Sequence, residues 1–184
     1  MRVITGTARG CRLDTLPGLD TRPTLDKVKE GLFSAIQFDI EGRRVLDLFA
    51  GSGQLGIEAL SRGAAYCVFV DRNPAAVPII RGNLQRAHLA PVAQVIGTDS
   101  MIYLDHLKEC FDLVFLDPPY ASEMLIPALH KVASLVNDGG IIVCESDGAA
   151  TLPDTVDRFA LDRTYRYGKV TVWIYRYISG EDTQ

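Results

Sequence analysis

The sequence predicts an α/β protein built on a doubly wound, mostly parallel sheet that is finished by an antiparallel hairpin. Between residues 45 and 145, short apolar runs alternate with stretches of helical periodicity, which is the pattern of parallel strands joined by crossover helices. The first apolar run leads directly into a glycine-rich turn. Two strand-like runs near the C-terminus are separated by only four residues, which favours a hairpin.

The N-terminal part of the chain is predicted to be a small extension that precedes the core sheet. Residues 2–5 and 11–14 form a possible hairpin. A helix follows, for which Thr24 is a suitable N-cap and which extends to about Phe38. One stripe of this helix is apolar and is expected to face the core: Leu25, Val28, Leu32 and Ile36.

The rest of the chain alternates strands and helices. Five apolar runs are predicted strands, at 45–49, 66–71, 92–96, 113–117 and 141–145. Four helices are predicted between them, at about 54–62, 74–87, 99–109 and 122–136. Pro78 conflicts with a helix that begins at residue 74, because proline in a helix interior removes a backbone hydrogen bond, so this helix is expected to start late or to kink. The hairpin strands follow at 159–165 and 170–176.

Length and composition indicate one globular domain. A chain of 184 residues buries one sizeable core but is short for two, so we predict a single domain over 1–184, with an extension at 1–40 and a core at 41–178. Hydrophobic residues make up 47% and charged residues 23%, a balance typical of globular proteins.

The sequence also gives expectations about location and metals. No apolar stretch approaches a membrane span, and arginines interrupt any signal-peptide core in the first twenty residues. We therefore predict a cytoplasmic protein with no membrane contact. A monomer is expected. The four cysteines and three histidines lack metal-ligand spacing, so we expect free thiols and no metal site.

The charge is unevenly distributed along the chain. A net charge of −4 argues against a general nucleic-acid coat, but residues 97–154 contain ten acids and two lysines while both ends are basic. If the fold brings the ends to one face, they would contact phosphates with salt-dependent affinity; an ordinary solvated surface explains the pattern equally well. The candidate phosphate contacts in these two basic regions are Arg9, Arg12, Arg163, Arg166 and Lys169.

The glycine-rich turn predicts a nucleotide-like ligand. Gly51, Gly53 and Gly56 satisfy the spacing G-x-G-x-x-G, with a strand before them and a helix after. Glycines in this position permit a tight turn and let a ligand approach the backbone. A nicotinamide dinucleotide and an adenosyl cofactor fit this motif equally well.

Acidic residues at strand ends separate these two cofactors. Asp71 ends the second strand, where its carboxylate would accept from both hydroxyls of a ribose. Asp47 in the first strand and Asp99 after the third would repel a pyrophosphate but suit the cationic groups of S-adenosyl-L-methionine. With Asp117, an acid stands in each of the first four strand regions. These matching positions favour a shared site for the adenosyl cofactor over four unrelated cap and turn residues.

The tetrapeptide Asp117-Pro118-Pro119-Tyr120 predicts chemistry on an amino group. Consecutive prolines cannot donate to a sheet ladder, so the strand stops and its last carbonyl groups face the crevice where open α/β sheets bind ligands. A carboxylate, fixed carbonyl acceptors and an aromatic ring suit a planar base with an exocyclic amino group. An ordinary Pro-Pro turn is the alternative.

Together these motifs resemble the class I S-adenosylmethionine-dependent methyltransferases, and within them the small bacterial 16S rRNA guanine-N2 methyltransferases. The resemblance covers nearly the whole chain. It includes LDLFAGSGQLGIEALSRGA at 46–64 and FLDPPY at 115–120, and the openings RVITGTARGCRL at 2–13 and TRPTLDKVKEGLFSAI at 21–36. The N-terminal motifs point to the rRNA family, since DPPY also occurs in enzymes that methylate adenine or cytosine in DNA.

The resemblance implies a Rossmann-like methyltransferase fold, a cofactor site and a catalytic site. The cofactor S-adenosyl-L-methionine would contact residues of the glycine turn, the strand ends and the N-terminal motif: Asp47, Ala50, Gly51, Gly53, Asp71, Arg72, Asp99, Ser100, Arg22 and Thr24. The target guanine would be held by the catalytic tetrapeptide: Asp117, Pro118, Pro119 and Tyr120. The implied reaction methylates N2 of a guanine in 16S rRNA, in an assembled or assembling small ribosomal subunit. The candidate phosphate contacts at the two basic ends would then be RNA contacts.

Two other functions remain open on the sequence. A DNA adenine-N6 methyltransferase would use the same cofactor loop and tetrapeptide, although such enzymes usually add a sequence-reading domain. A non-catalytic RNA-binding assembly factor would keep the fold without turnover, although the intact tetrapeptide speaks against decay.

Overall fold

The computed structural model describes residues 1–16, 23–119, 123–148 and 150–178, and all of their side chains except those of 23–25. Three predicted site groups therefore lie outside the described residues: Arg22, the Thr24 side chain and Tyr120.

Five α-helices and eight strands make up the described parts of the chain. The helices are α1 Pro23–Ala35, α2 Gln54–Ser61, α3 Ala76–Arg86, α4 Ser100–His106 and α5 Leu125–Ala133. The strands are β1 Arg44–Asp47, β2 Tyr66–Asp71, β3 Ala93–Gly97, β4 Phe111–Leu116, β5 Val136–Asp147, β6 Thr155–Val156, β7 Phe159–Tyr167 and β8 Val170–Tyr177. Single 3₁₀ turns occur at Gln37–Asp39 and Ala90–Val92.

The eight strands form one sheet in the order β3-β2-β1-β4-β5-β8-β7-β6. The first five are parallel to one another, while β8, β7 and β6 add antiparallel strands at one edge. Helices α1, α2 and α3 pack on one face of the sheet, and α4 and α5 pack on the other. The predicted doubly wound, mostly parallel sheet with a C-terminal antiparallel hairpin is confirmed.

The strand order reverses at β1 and β4, which lie side by side in the centre of the sheet. In an open α/β sheet, the connections that follow two such strands diverge to opposite faces and leave a crevice at their carboxyl ends. The glycine turn follows β1 and the Asp117 tetrapeptide follows β4. The fold therefore places both sequence motifs at the same crevice.

The structure corrects the predicted start of α1 and confirms the late start expected for α3. Helix α1 begins at Pro23, so Thr24 is inside the helix and is not its N-cap, and the α-helix ends at Ala35. Proline suits the first turn because its missing N–H would have no intrahelical partner there. Helix α3 begins at Ala76, which puts Pro78 in its first turn and removes the conflict.

The helix predicted over 122–136 is too long at both ends. Helix α5 ends at Ala133, and Val136 already belongs to β5. Leu135 and Val136 continue the apolar pattern of the helix, but they pair with the start of β4: the Phe111 N–H donates to the Leu135 carbonyl at 2.9 Å, and Phe111 lies opposite Val136. Strand β6 was not predicted, because two residues carry no periodicity.

The predicted N-terminal hairpin is present, with Arg2 bridged to Arg12. The Val3 N–H donates to the Cys11 carbonyl at 2.9 Å, and the Gly10 N–H donates to the Val3 carbonyl at 2.9 Å. Val3 and Leu13 are buried in the same apolar cluster as α1 and α2. The hairpin is therefore packed on the sheet's helical layer.

None of the helices in the described ranges has both the length and the apolar character needed to cross a membrane.

Candidate active site

Acidic side chains stand at the carboxyl edge of the parallel strands. Asp47 is the last residue of β1, Asp71 is the last of β2, and Asp117 follows β4 directly. The sheet register places Asp47 opposite Phe115 of β4. Glu145, near the end of β5, stands one position beyond the pair formed by Leu116 and Cys144, level with Asp117.

The turn between β1 and α2 leaves its backbone open to a ligand. Gly51 and Gly53 have φ angles of 54° and 78°, in the left-handed region that side chains disfavour. A Cβ added at Gly51 would have no atom within 4 Å, so this glycine faces open space. At Gly56 an added Cβ would lie 2.3 Å from the Phe69 ring, so this glycine allows α2 to pack closely on β2.

Asp71 fixes the conformation of this turn. Its Oδ2 accepts from the Gly51 N–H at 2.7 Å, and its Oδ1 accepts from the Asn73 N–H at 2.7 Å. Each carboxylate oxygen has a second lone pair and can accept another hydrogen bond from a ligand hydroxyl. Asp71 is only partly buried, so these lone pairs are within reach of a ligand.

Asp47 is the most deeply buried acid at this edge, with 2% exposure. Its Oδ2 accepts from the Gly56 N–H at 2.9 Å. Burial raises the pKa of Asp47 to about 7; the Gly56 hydrogen bond opposes this shift, and the Asp71 carboxylate adds to it. A buried carboxylate of this kind is stabilised by a cationic partner.

Asp99 and Ser100 begin α4 at the same edge. Asp99 is the N-cap, and its Oδ1 accepts from the N–H groups of Met101 and Ile102 at 2.9 and 3.2 Å. Within the described residues its Oδ2 accepts no hydrogen bond. The Ser100 hydroxyl donates to the Leu48 carbonyl at 2.8 Å, so this side chain joins α4 to the end of β1.

Asp117 shares its surroundings with two other carboxylates. It keeps partial solvent contact, while Pro118 is buried and Pro119 is exposed. Burial within the crevice raises the pKa of Asp117, and the nearby charges of Glu145 and Asp47 raise it further. Two close carboxylates do not readily ionise together, so Asp117 and Glu145 are suited to a ligand that brings N–H donors to them.

A cleft of about 370 Å³ opens beside Asp117, between the start of α5 and the segment after β5. Its walls combine apolar side chains with acids: Pro118, Pro119, Glu123, Leu125, Ile126, Glu145, Ser146, Asp147, Ala150, Thr151 and Leu152. Its size is within the range of small-molecule sites.

Sequence reasoning missed Glu145. The signal was present, because the strand predicted over 141–145 ends on this residue, as the earlier strand regions end on acids. A strand-end acid was named for each of the first four predicted strands but none for the fifth. Glu145 is 9% exposed, which is rare for a glutamate.

The candidate RNA contacts are divided between the two edges of the sheet. The turn with Arg166 and Lys169 is at the active-site edge, because Val170 lies opposite Asp147 and the Gly148 N–H donates to the Lys169 carbonyl at 2.8 Å. The hairpin turn near Arg9 is bound at the other end of α2, where the Thr7 N–H donates to the Ser61 carbonyl at 2.8 Å.

The remaining predicted residues have simpler surroundings. Ala50 is buried and its N–H donates to the Val70 carbonyl at 3.0 Å. Arg72, Arg12 and Arg163 are exposed. Within the described ranges, no three His, Cys, Asp or Glu side chains are grouped so as to hold a metal ion.

Residues 1–176 match the protein family described as conserved hypothetical protein 95. The chain belongs to this family. The match includes the glycine turn, the Asp117 tetrapeptide, Glu145 and the C-terminal hairpin.

The names of two relatives agree with the methyltransferase resemblance of the sequence. YlbH of Bacillus subtilis strain 168, whose name provisionally calls it an rRNA methyltransferase, is 42% identical over 181 residues, which cover 96% of this chain and 98% of YlbH. Ribosomal RNA small subunit methyltransferase D of Escherichia coli K12 is 32% identical over 182 residues, with coverage of 96% and 89%. The conserved hypothetical protein 95 family is thus a family of class I rRNA methyltransferases.

Solved structures of relatives have the same fold. The Escherichia coli protein yhhF superimposes with a TM-score of 0.87 at 33% identity, over 97% of this chain and 98% of that one. The Haemophilus influenzae protein HI0767 gives a TM-score of 0.80 at 30% identity, with coverage of 97% and 98%.

Proposed function

We propose that this protein transfers a methyl group from S-adenosyl-L-methionine to N2 of a guanine in 16S rRNA, within the assembled or assembling small ribosomal subunit. The observation that carries the proposal is the convergence of buried Asp47 and fixed Asp71 around an open glycine turn, with Asp117 and Pro118 after the adjacent strand. The names of the relatives supply the substrate class. The proposal includes a cytoplasmic monomer that needs no metal.

The residues at the glycine turn fit S-adenosyl-L-methionine. Asp47 is a buried acceptor for its ammonium group, and Asp71 offers lone pairs to its ribose hydroxyls. Asp99 offers Oδ2 to the adenine amino group. The open space at Gly51 lets a ligand lie against the backbone. When bound, this cofactor supplies the methyl group as an electrophile attached to a sulfonium.

Asp117 and Pro118 would orient the amino group that is methylated. A guanine amino group is a weak nucleophile because its lone pair is delocalised into the ring. Hydrogen bonds from N2–H to the Asp117 carboxylate and the Pro118 carbonyl favour an amine aimed at the methyl carbon, and they stabilise the positive charge that develops. Stacking on Tyr120 would contribute about 1 to 3 kcal/mol.

Most of the acceleration would come from positioning, since bringing two bound reactants together contributes roughly 7 to 11 kcal/mol. The N2 proton is lost after the methyl group has begun to transfer. Asp117 accepts it, because its raised pKa makes this carboxylate a stronger base than an ordinary aspartate.

The proposal is tested by tritium transfer from labelled S-adenosyl-L-methionine to unmodified 16S rRNA, either naked or reconstituted into small subunits. Digestion to nucleosides should recover N2-methylguanosine, with faster transfer to the reconstituted particle. Recovery of N6-methyladenosine, or label in protein alone, would contradict the proposal.

Cofactor affinity is expected to depend on pH through Asp47. Binding of an ammonium group requires the ionised carboxylate, and Asp47 has a pKa of about 7 in the ligand-free protein. The Kd of S-adenosylhomocysteine should therefore rise about tenfold for each pH unit below 7 and become constant above about pH 8. Titration calorimetry between pH 5.5 and 8.5 measures this dependence.

The matched variant is Asp47→Asn, which keeps an oxygen for the Gly56 N–H. Its affinity for S-adenosylhomocysteine should be weak at every pH and should not change near pH 7.

The same substitution should stabilise the ligand-free protein, although it weakens cofactor binding. Because folding raises the Asp47 pKa, the carboxylate destabilises the fold as pH rises from about 4 to 7. The variant should then be more stable than wild type at pH 8, by up to about 4 kcal/mol. If the Kd of Asp47→Asn still depends on pH near 7, Asp47 is not the acceptor of the cofactor's ammonium group.

The basic turn at the active-site edge is expected to contribute to RNA affinity. Removing both charges with Arg166→Ala and Lys169→Ala should weaken binding to 16S rRNA and reduce the slope of log K against log salt by about 1 to 2. Lys108→Ala is the control, since Lys108 is exposed but lies before β4 at the opposite edge. Equal slopes for the double variant and the control would contradict the contact.

A further inference from the structure

Asp117 directly follows β4, and Glu145 lies level with it on the neighbouring strand β5. Strands β4 and β5 are parallel, and Leu116 is opposite Cys144, so the next residue on each strand is level with the other. Neighbouring strands are about 4.8 Å apart. The charge of Glu145 is close enough to raise the pKa of Asp117.

The cleft beside Asp117 includes Glu145 in its wall. Pro118, which follows Asp117, and Glu145 both line this space of about 370 Å³. Leu125, Ile126 and Leu152 supply apolar walls to the same cleft. A flat base with one polar edge suits such a site, since enzymes that act on extruded bases read the base through hydrogen bonds to its Watson–Crick edge.

Two neighbouring carboxylates select among bases by hydrogen-bond direction. Guanine presents N1–H and N2–H as adjacent donors on one edge. Adenine presents N1 as an acceptor there, and cytosine presents N3 as an acceptor. Asp117 and Glu145 do not readily ionise together in the ligand-free protein, but two N–H donors stabilise both charges, and ionised carboxylates only accept. A pair of carboxylates therefore matches guanine and repels the lone pair of the other two bases.

We propose that Glu145 determines the specificity for guanine by accepting the N1–H of the target base, while Asp117 accepts an N2–H of the same base. This inference rests on the proposed function and adds a second recognition residue to it. The buried position of Glu145 strengthens discrimination, because a desolvated acceptor that meets another acceptor loses more than an exposed one.

The first test compares Glu145→Gln with wild type on small subunits reconstituted from unmodified 16S rRNA. The amide keeps the shape of the side chain but replaces one acceptor oxygen with a donor. We expect kcat/KM to fall about 10- to 100-fold. Glu109→Gln makes the same chemical change at an exposed residue that lies before β4, at the opposite edge of the sheet, and should change kcat/KM by less than about threefold.

The second test separates recognition from a structural role. The mapped target guanosine is replaced by 2-aminopurine riboside, which keeps the amino group but has no N1–H. Wild type should prefer guanine by about tenfold or more, and Glu145→Gln should lose most of that preference. A variant that slows both substrates equally would overturn the inference.

The two proposals fail in different ways. If wild type methylates guanine and Glu145→Gln is undiminished, the inference is wrong and the proposed function stands. If wild type transfers no label to RNA, both are wrong.

Discussion

Replacement of Asp117 by alanine is expected to lower kcat for methyl transfer by about 10³-fold or more, with little change in cofactor affinity. Two contributions disappear together. The carboxylate that orients N2 and stabilises its developing charge is lost, and so is the group that accepts the proton. The cofactor residues Asp47 and Asp71 belong to other strands and keep their backbone hydrogen bonds.

Single-turnover methylation of reconstituted small subunits measures kcat, and calorimetry with S-adenosylhomocysteine measures cofactor affinity. The Kd should change by less than about threefold, because Asp117→Ala removes one neighbouring negative charge without touching the glycine turn. Asp117→Asn refines the test. Its amide oxygen still accepts one hydrogen bond but is a poor base, so its kcat should lie between those of wild type and the alanine variant.

The control is Asp138→Ala, which removes an exposed acid paired with Arg158 and should leave kcat within about twofold of wild type. Wild-type kcat in Asp117→Ala would rule out the proposed role. A parallel loss of kcat, cofactor affinity and thermal stability would instead indicate that Asp117 supports the fold.

The central sheet was predictable because its signals are local. The apolar runs of β1, β2 and β4 are buried on both faces and read as continuous hydrophobic segments. The positive φ angles of Gly51 and Gly53 explain why glycines mark the cofactor turn. Asp47, Asp71 and Asp117 could be placed because carboxyl ends of parallel strands meet at one edge.

Long-range packing was not predictable from these patterns. Glu58 lies in the middle of α2 and looks in the sequence like an ordinary helix-surface charge, yet it is 0% exposed. The N-terminal hairpin covers it, and no periodicity in α2 indicates that cover. Glu145 was missed for a related reason, since its importance depends on the register between β4 and β5.

The second large effect is expected at Glu58. Its Oε2 accepts from the Ile4 N–H at 2.8 Å, and its Oε1 accepts from the Thr5 N–H at 3.0 Å and from Arg62 Nε at 2.9 Å. Lys29 Nζ lies 3.4 Å from Oε2 and is itself 2% exposed. One carboxylate thus joins the hairpin, α1 and α2.

Glu58→Ala should lower the free energy of unfolding by about 3 to 5 kcal/mol, because it leaves the Lys29 cation buried without its counter-ion. For a chain of this size the Tm should fall by about 10 °C. Urea denaturation measures the first quantity and calorimetry the second. Glu109→Ala is the control: it breaks the exposed Arg44–Glu109 pair, in which the side chains are 43% and 63% exposed, and should cost less than about 1 kcal/mol.

The loss of unfolding free energy in Glu58→Ala, here called the deficit, should depend on pH if the buried Lys29 cation causes it. Burial lowers the pKa of Lys29, and the Glu58 carboxylate raises it again, so removing Glu58 lowers that pKa further. Between the folded pKa and the ordinary lysine value, the unfolded chain binds more protons, so stability rises with pH. The deficit of Glu58→Ala should therefore shrink as the pH is raised towards 10. Replacing Lys29 by methionine in the same chain should recover part of the loss at pH 7, since no buried cation remains. A deficit that is independent of pH and unchanged by Lys29→Met would show that the lost hydrogen bonds to the hairpin, and not the buried charge, control the stability of this contact.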